Sequence, residues 1–586
     1  MPAYQIAPGV ALGAFVQAYE CKAGDPTIRP LRVYAVDPSL SRAEGAIATI
    51  QVPYEPLLPG PVGYLFEVEC ADGEHRYPPL DLESPRILIN DGLPPSVTNP
   101  AFHQQMAYAV ASSVYATFRA ALGRLIAWSS DEKPGGAGQP LRLRLRPHVS
   151  SEGANASYVK SDREIRFGYD ADLKLSEGRQ FACLSHDIIA HEMTHALIDG
   201  LRARFTVPTN PDVLGFHEGL SDLVAVFHHF LYPEVLAVQI RKVGPEVARS
   251  AMLTQIAANF GIATIGAAAV RDAADAHRKV TYNSNLEAHE MGQVLVTAVF
   301  EAFVKIYHRK TERYLRLAGP QPPGFWSEDL VQMLAEKASE LARNFLHICI
   351  RAIDYCPALD LELGDYLRAL ITADYNLVPD DPWGYRETLI NCFADRGIYP
   401  RGVLSLSEDA LLWRGPNRHL PAIPRLSFSD LRFNGDPSVP ASADELKKQA
   451  EALGEYITQP QWCDEFGLMP ADSESVDLPA IQSVRTTRRV GPDGQVLFDL
   501  VAEVTQRRMV VDPETGARAK FVGGATIIIG PRGEIRYVIS KNIRKQARID
   551  QQFGFQKSSA FWTSQDGQFR QSGWPLQMIH QGRKRI

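Results

Sequence analysis

No stretch of this chain holds eighteen uninterrupted apolar residues, so no membrane-spanning helix is expected. Cysteine is sparse. The seven are scattered and odd in number, which argues against a disulfide framework and suits free or buried thiols in a reducing compartment. The opening residues, Met1-Pro2-Ala3-Tyr4-Gln5-Ile6-Ala7-Pro8-Gly9-Val10, carry no basic n-region. The apolar stretch after them is short and interrupted, so no signal peptide is read. The expectation is a cytoplasmic protein, with export by a route lacking a cleavable signal left open. Internal repeats and low-complexity tracts are missing too, which excludes solenoid and array architectures.

What is present is the composition of an ordinary soluble globular protein, 45% apolar and 22% charged over 586 residues. That length suggests two to four domains. The net charge of −7 hides an asymmetry: residues 481–586 hold 18 Lys and Arg against 8 Asp and Glu, leaving 43 against 60 elsewhere. An acidic main body and a basic final region follow. The final region's basic residues are not interleaved with aromatics, so no nucleic acid is expected. An acidic partner, a polyanion or the acidic body itself would suit them.

Short alternating runs such as Arg32-Val33-Tyr34-Ala35-Val36, punctuated by Pro and Gly, indicate a small β-rich module over residues 1–95. Asn99-Pro100 opens a helix to about Leu122, with Ala107, Ala109, Val110, Val114 and Phe118 on its apolar side. Pro134-Gly135-Gly136-Ala137-Gly138 reads as a loop. Leu141 to Arg146 alternates strictly and reads as a strand with one wet face; two strands around Lys160-Ser161-Asp162-Arg163 follow. From about 212 to 398 helices dominate, with candidates at 213–231, 244–260, 288–308, 327–354, 361–374 and 384–397, several separated by breaks such as Gly319 to Gly324. Residues 401–480 read as a linker or wrapping segment with a short helix near 442–456. Residues 481–586 return to β, with strands at 481–490, 495–506, 518–529 and 534–540 and turns at Gly491-Pro492-Asp493-Gly494 and Gly530-Pro531-Arg532-Gly533.

The chemistry concentrates in His191-Glu192-Met193-Thr194-His195, set in a helix-compatible run. Residues four apart share a helix face, so His191 and His195 present two imidazoles to one metal ion while Glu192 points at the same mouth as general base. In the next helical run, Glu218 completes a His, His, Glu zinc site with its fourth position open. Asp222, one turn on, takes the remaining N–H of a ligand histidine. His217 reads as a neighbour, and His228 and His229 as structural or exposed.

The motif pair, His191-Glu192-Met193-Thr194-His195 and then Glu218-Gly219-Leu220-Ser221-Asp222, resembles the thermolysin-type gluzincin metallopeptidases. Asn155-Ala156-Ser157-Tyr158 resembles the family's edge strand, whose backbone hydrogen-bonds the substrate. His289 opens a helix where the family carries its transition-state histidine, and Arg271 matches its substrate-carbonyl arginine. The resemblance covers roughly residues 96–310, with helices to about 400 completing the domain. It implies an α+β fold: a thermolysin-like domain over 96–400 with a β-rich half, a zinc helix and a mainly α-helical half. A peptide or protein substrate and one catalytic zinc ion follow. So do catalytic roles for Glu192 and His289, and substrate contacts from Asn155, Ala156 and Arg271.

Three departures qualify it. Leu201 to Thr206 lacks the tyrosine that the family places there, which shifts oxyanion binding onto His289 and zinc. Asp187 matches a calcium position, but its acidic partners after Asp222 are absent, so no calcium is expected. The G-x-M-E-N motif of gluzincin aminopeptidases is also absent, which favours an endopeptidase. Two alternatives stand beside this: a narrow-range zinc hydrolase whose extra regions gate the cleft, and a toxin-like or binding protein on a peptidase scaffold. The intact Glu192 argues against the latter.

Overall fold

The computed structural model describes residues 2–582 except 36–45, 73–74, 130–140, 154, 170–179, 250–252, 254, 257–270, 273–279, 320–324, 433–438, 440 and 491–492. The loop expected at Pro134 to Gly138 lies outside these residues, as do much of the Gly319 to Gly324 break, nearly half of the helix expected at 244–260 and half of the Gly491 to Gly494 turn. The described part of 244–260 holds a 3-10 turn, Val247–Arg249, and a strand, Gln255–Ile256. The helix Pro233–Val243 precedes it instead.

The chain is α+β. A four-stranded sheet runs in the order Phe66–Val68, Leu143–Arg146, Glu164–Phe167, Ala156–Val159, so Ala156–Val159 is an edge strand. Next to it lie the helix His186–Leu201 and the long helix Pro100–Leu122. The latter begins where Asn99 accepts the Ala101 N–H and Pro100 occupies the first turn. Ala107, Ala109, Val110, Val114 and Phe118 are all buried. Pro211–His229, Ala288–Ala318, Glu328–Ala352, Leu363–Tyr375 and Tyr385–Asp395 form the helical half.

Sequence boundaries and sheet boundaries do not coincide. The expected division near residue 95 is crossed by pairing, since Phe66–Val68 joins the sheet of Leu143–Arg146. The hairpin Ile28–Tyr34 with Ile47–Pro53 packs into the same hydrophobic core as the helix His186–Leu201. Gln5–Ile6 pairs in parallel with Ala480 and Ile481, at the edge of a seven-stranded sheet built from Ala480–Val490, Val496–Val511, Arg518–Ile529, Ile535–Lys541, Gln568–Gln571 and Trp562–Gln565. Two helices, Gln546–Ser558 and Pro575–Gly582, follow the expected strands in what reads from sequence as a β region.

Strand alternation gives this sheet two apolar faces. Leu500, Ala502, Val504, Ala525, Ile527 and Ile529 face a core closed by the helix Ala443–Ile457 and residues around Ile423, Phe466 and Leu468. Val501, Ile528 and Ile539 face the main core. Part of the final region's basic charge meets the acidic body, Lys541 lying 2.7 Å from Asp365 and Arg548 2.9 Å from Asp360, while Arg536 meets Asp499 within the region at 2.6 Å. No single described helix is long and apolar enough to cross a membrane.

A buried polar seam joins body and sheet. Arg124 donates two 2.7 Å bonds to Asp354 and one to the Thr486 carbonyl. Burial pushes the Asp354 carboxyl up, but Arg124, backed by Arg202 and Arg485, outweighs it and holds the pKa at about 2. The folded pKa lies below the unfolded value of about 3.9, so the contribution is present above pH 4 and lost as pH falls towards 2. Asp354→Asn is expected to lower stability at pH 7 by about 2 kcal/mol or more and to flatten the loss between pH 4 and 2. Denaturation midpoints at pH 7, 4 and 2.5 test this; an unchanged acid limb in the variant would rule it out.

Candidate metal centre

Four elements converge on the site. The helix His186–Leu201 supplies His191, Glu192 and His195, all buried. The helix Pro211–His229 supplies Glu218 and Asp222; it opens on Asn210, whose side chain accepts the Asp212 N–H, with Pro211 in the first turn. The helix Ala288–Ala318 supplies His289. These last two helices approach closely because three residues lack a Cβ. On Gly292 it would stand 2.8 Å from the Gly219 nitrogen, and on Gly215 it would stand 2.2 Å from Met291 Cγ. The fourth element, Pro575–Gly582, supplies His580.

Glu218 sits at the centre. Its oxygens lie 3.4 Å from His191 Nε2, 3.3 Å from His195 Nε2, 3.1 Å from His289 Nε2 and 3.5 Å from His580 Nε2. The carboxylate is fully buried and neither oxygen has a hydrogen-bond partner. Burial alone raises a carboxyl's pKa, yet His289, His195 and His191 hold this one well below the usual range, so it stays ionised. His191 Nε2 and His195 Nε2 face each other at 3.0 Å. Two such lone pairs repel unless a cation or proton lies between them.

These spacings fit a tetrahedral zinc ion. Ligand bonds of about 2.0–2.1 Å place ligand atoms about 3.3 Å apart. His191, His195, Glu218 and His580 each offer an atom, all within 4.8 Å of one another. The outer contacts suit ligation as well. Asp222 Oδ1 lies 2.8 Å from His191 Nδ1, which fixes the proton there and turns Nε2 inward. His195 Nδ1 faces His217 Nδ1 and Ser221 Oγ, each at 3.2 Å.

Two other His-rich groups behave differently. At His103, His148 and Cys183, His148 Nδ1 meets Cys70 Sγ at 3.3 Å, His148 Nε2 meets His103 Nδ1 at 2.7 Å, and His103 Nε2 meets the Val97 carbonyl at 3.0 Å. Both rings are satisfied by protein. Asp187 is engaged by His229 beside His186, a nitrogen-rich set unlike the all-oxygen shell of calcium. His228 and His229 are both buried.

Glu192 accepts the Tyr158 N–H at 2.8 Å, from the outer edge of the strand Ala156–Val159. Ala156 opens that strand, and the side chain of Asn155 donates to the His580 carbonyl at 3.1 Å. Glu287 caps the His289 helix through the Glu290 N–H, and its other oxygen meets His289 Nδ1 at 3.1 Å. One side chain thus starts the helix and aims the imidazole. Arg271 lies in a two-residue strand paired with Gln255–Ile256; its side chain is outside the described residues. The segment after His195 points away from the centre. Arg202 bonds the Ile353 carbonyl at 3.0 Å and Thr526 at 3.0 Å, and meets Glu503 at 3.3 Å.

The structure therefore brings His191, Glu192, His195, Glu218, Asp222, His289, Asn155 and Ala156 together. Sequence reasoning missed Glu287, Ser221, His580 and the role of His217. A capping-box spacing, Glu287 to Glu290, was the readable signal for the first. His580 has no spacing relation to the other residues of the group. No protein-family model matches the chain, and no curated protein is significantly similar to it.

Proposed function

We propose that the chain is a zinc-dependent endopeptidase of the thermolysin-like kind, with the site between the edge strand Ala156–Val159 and the helical half. The observation that carries this is the fully buried Glu218 carboxylate, on which the Nε2 atoms of His191, His195 and His289 converge at 3.4, 3.3 and 3.1 Å, on the helix after His191-Glu192-Met193-Thr194-His195. Held by His191, His195 and Glu218, zinc supplies a lowered pKa for a bound water and polarises a carbonyl.

The chain's own residues do the rest. Glu192, aimed by the Tyr158 N–H, takes a proton from the attacking water and hands it to the departing amine. His289, with Nδ1 tied to Glu287, offers its Nε2 proton to the developing oxyanion. No tyrosine stands at Leu201 to Thr206, so His289 bears this alone among the side chains described at the centre. The strand edge aligns an extended peptide by backbone hydrogen bonds, which require no particular side chain. The second reading, a narrow-range hydrolase with a gated cleft, is favoured by the helix Pro575–Gly582 lying along that edge.

Metal analysis tests the reading. One zinc per chain is expected, lost on dialysis against a chelator together with any peptide hydrolysis and restored by added zinc. A metal-free protein after zinc loading, or hydrolysis insensitive to the chelator, would end it.

A further inference from the structure

The fourth group at the centre comes from a segment that the peptidase chemistry does not use. The helix Pro575–Gly582 packs against the edge strand Ala156–Val159, where an extended peptide would have to lie. Its placement is built. Leu576 is 1% exposed in the main core, Ile579 packs against that core, and the Trp574 ring lies 5.5 Å from the ammonium of Lys160, itself 2.9 Å from Asp199. At the near end, the Ser572 N–H bonds the Phe561 carbonyl at 2.9 Å. At the far end, Asn155 holds the His580 carbonyl.

This leaves the His580 ring 5.6 Å from that of His195 and 6.0 Å from those of His191 and His289, stacked on the latter. Nε2 points at Glu218 at 3.5 Å, close to the edge of a zinc tetrahedron, and Nδ1 lies 3.7 Å from Glu192. A zinc site with three protein ligands keeps a position open for chemistry, whereas four protein ligands close it. With His580 present the described site has four.

We propose that His580 is a fourth protein ligand of the metal, carried by a tethered helix that occupies the peptide cleft, so that substrate reaches the site only when Pro575–Gly582 backs out. This rests on the metallopeptidase reading. In the closed arrangement the imidazole fills the coordination position, crowds Glu192 and diverts Asn155 at once. Backing out frees all three together.

The test uses the full-length chain as wild type, His580→Ala and Trp574→Ala. Zinc affinity is read by competition with a chromophoric chelator, the ligand set by the visible spectrum of the cobalt(II) form, and cleft access by calorimetry with acetohydroxamate on the zinc form. Wild type is expected to show a four-ligand cobalt spectrum without bound water. His580→Ala should still bind one zinc, with affinity lower by about tenfold or more, and should show an altered cobalt spectrum. It should also bind acetohydroxamate about tenfold more tightly, because the ligand no longer competes with the helix. Trp574→Ala keeps the imidazole but loosens its anchor; tighter acetohydroxamate binding is expected there too, which covers a folding failure of the first variant. Equal zinc affinity, cobalt spectrum and acetohydroxamate affinity in all three would overturn the role of His580 and leave the zinc site standing. Absence of stoichiometric zinc in all three would overturn both.

Discussion

Glu192→Gln is expected to reduce peptide hydrolysis by about 10²–10⁴-fold while leaving one zinc bound. The substitution is nearly isosteric. The amide oxygen still accepts the Tyr158 N–H, now 2.8 Å from the carboxylate, so the side chain keeps its aim. Glu192 is not among the atoms grouped around Glu218, so metal content should not change. What disappears is a basic oxygen at a buried position facing the centre. The comparison is best made in a His580→Ala background, where both arms have an open cleft, with zinc measured in the same samples. Undiminished hydrolysis in the glutamine variant would remove Glu192 from the mechanism. Parallel loss of zinc would mean that the residue acts through the metal instead.

The second large effect falls on stability. Arg202→Met is expected to cost about 3–5 kcal/mol. Arg202 has no exposed surface and directly follows the helix His186–Leu201 as its C-cap. Its guanidinium donates to the carbonyls of Ile353 and Cys356 and to Thr526, and sits 3.3 Å from Glu503. Methionine fills similar volume, so the loss is electrostatic and not a cavity. Two carbonyls lose a donor, and Glu503 keeps Arg485 and Ser483 among the described residues. Arg202→Lys should recover little, because one ammonium cannot reproduce a fork that spans the 353–356 turn and the sheet. Denaturant midpoints of the three proteins decide this; a methionine variant within about 0.5 kcal/mol of wild type would show the seam to be dispensable.

How much of this was legible follows from how far apart the determinants lie. The imidazole pair, Glu218 and Asp222 could be read because helical spacing fixes which residues share a face, and each helix carries its own caps and breaks; His289 came only from the resemblance to a known family. The strands from 480 to 541 could be read as β-favouring runs between Gly-Pro turn signals, but their two apolar faces emerge only with the partners they pack against. The helix Gln546–Ser558 could not: Ile549 and Phe553 are its main buried apolar residues, too few to impose a helical period. Nor could the pairing of Gln5–Ile6 with Ala480 and Ile481, since parallel pairing between two-residue segments leaves no local signature. His580 belongs to this second kind. Nothing in Trp574 to Ile579 refers to residues 191 or 218; only the folded chain brings them together. The missing tyrosine after His195 now has a physical counterpart, because that stretch is committed to the sheet through Arg202.

The seam and the strand Gln5–Ile6 also bear on the order in which the molecule can be assembled. At about 5–20 residues per second of synthesis, Gln5 and Ile6 wait roughly half a minute or longer for Ala480 and Ile481 to emerge. Arg202 waits a comparable time for Glu503 and Thr526. Until then the nascent chain holds an unpaired edge and a cation destined for burial, with most of the helical half already made. The strands from residue 480 onward thus act after the helical half in time as well as in sequence, and a ribosome stalled before residue 480 would present a body whose seam is still open to water.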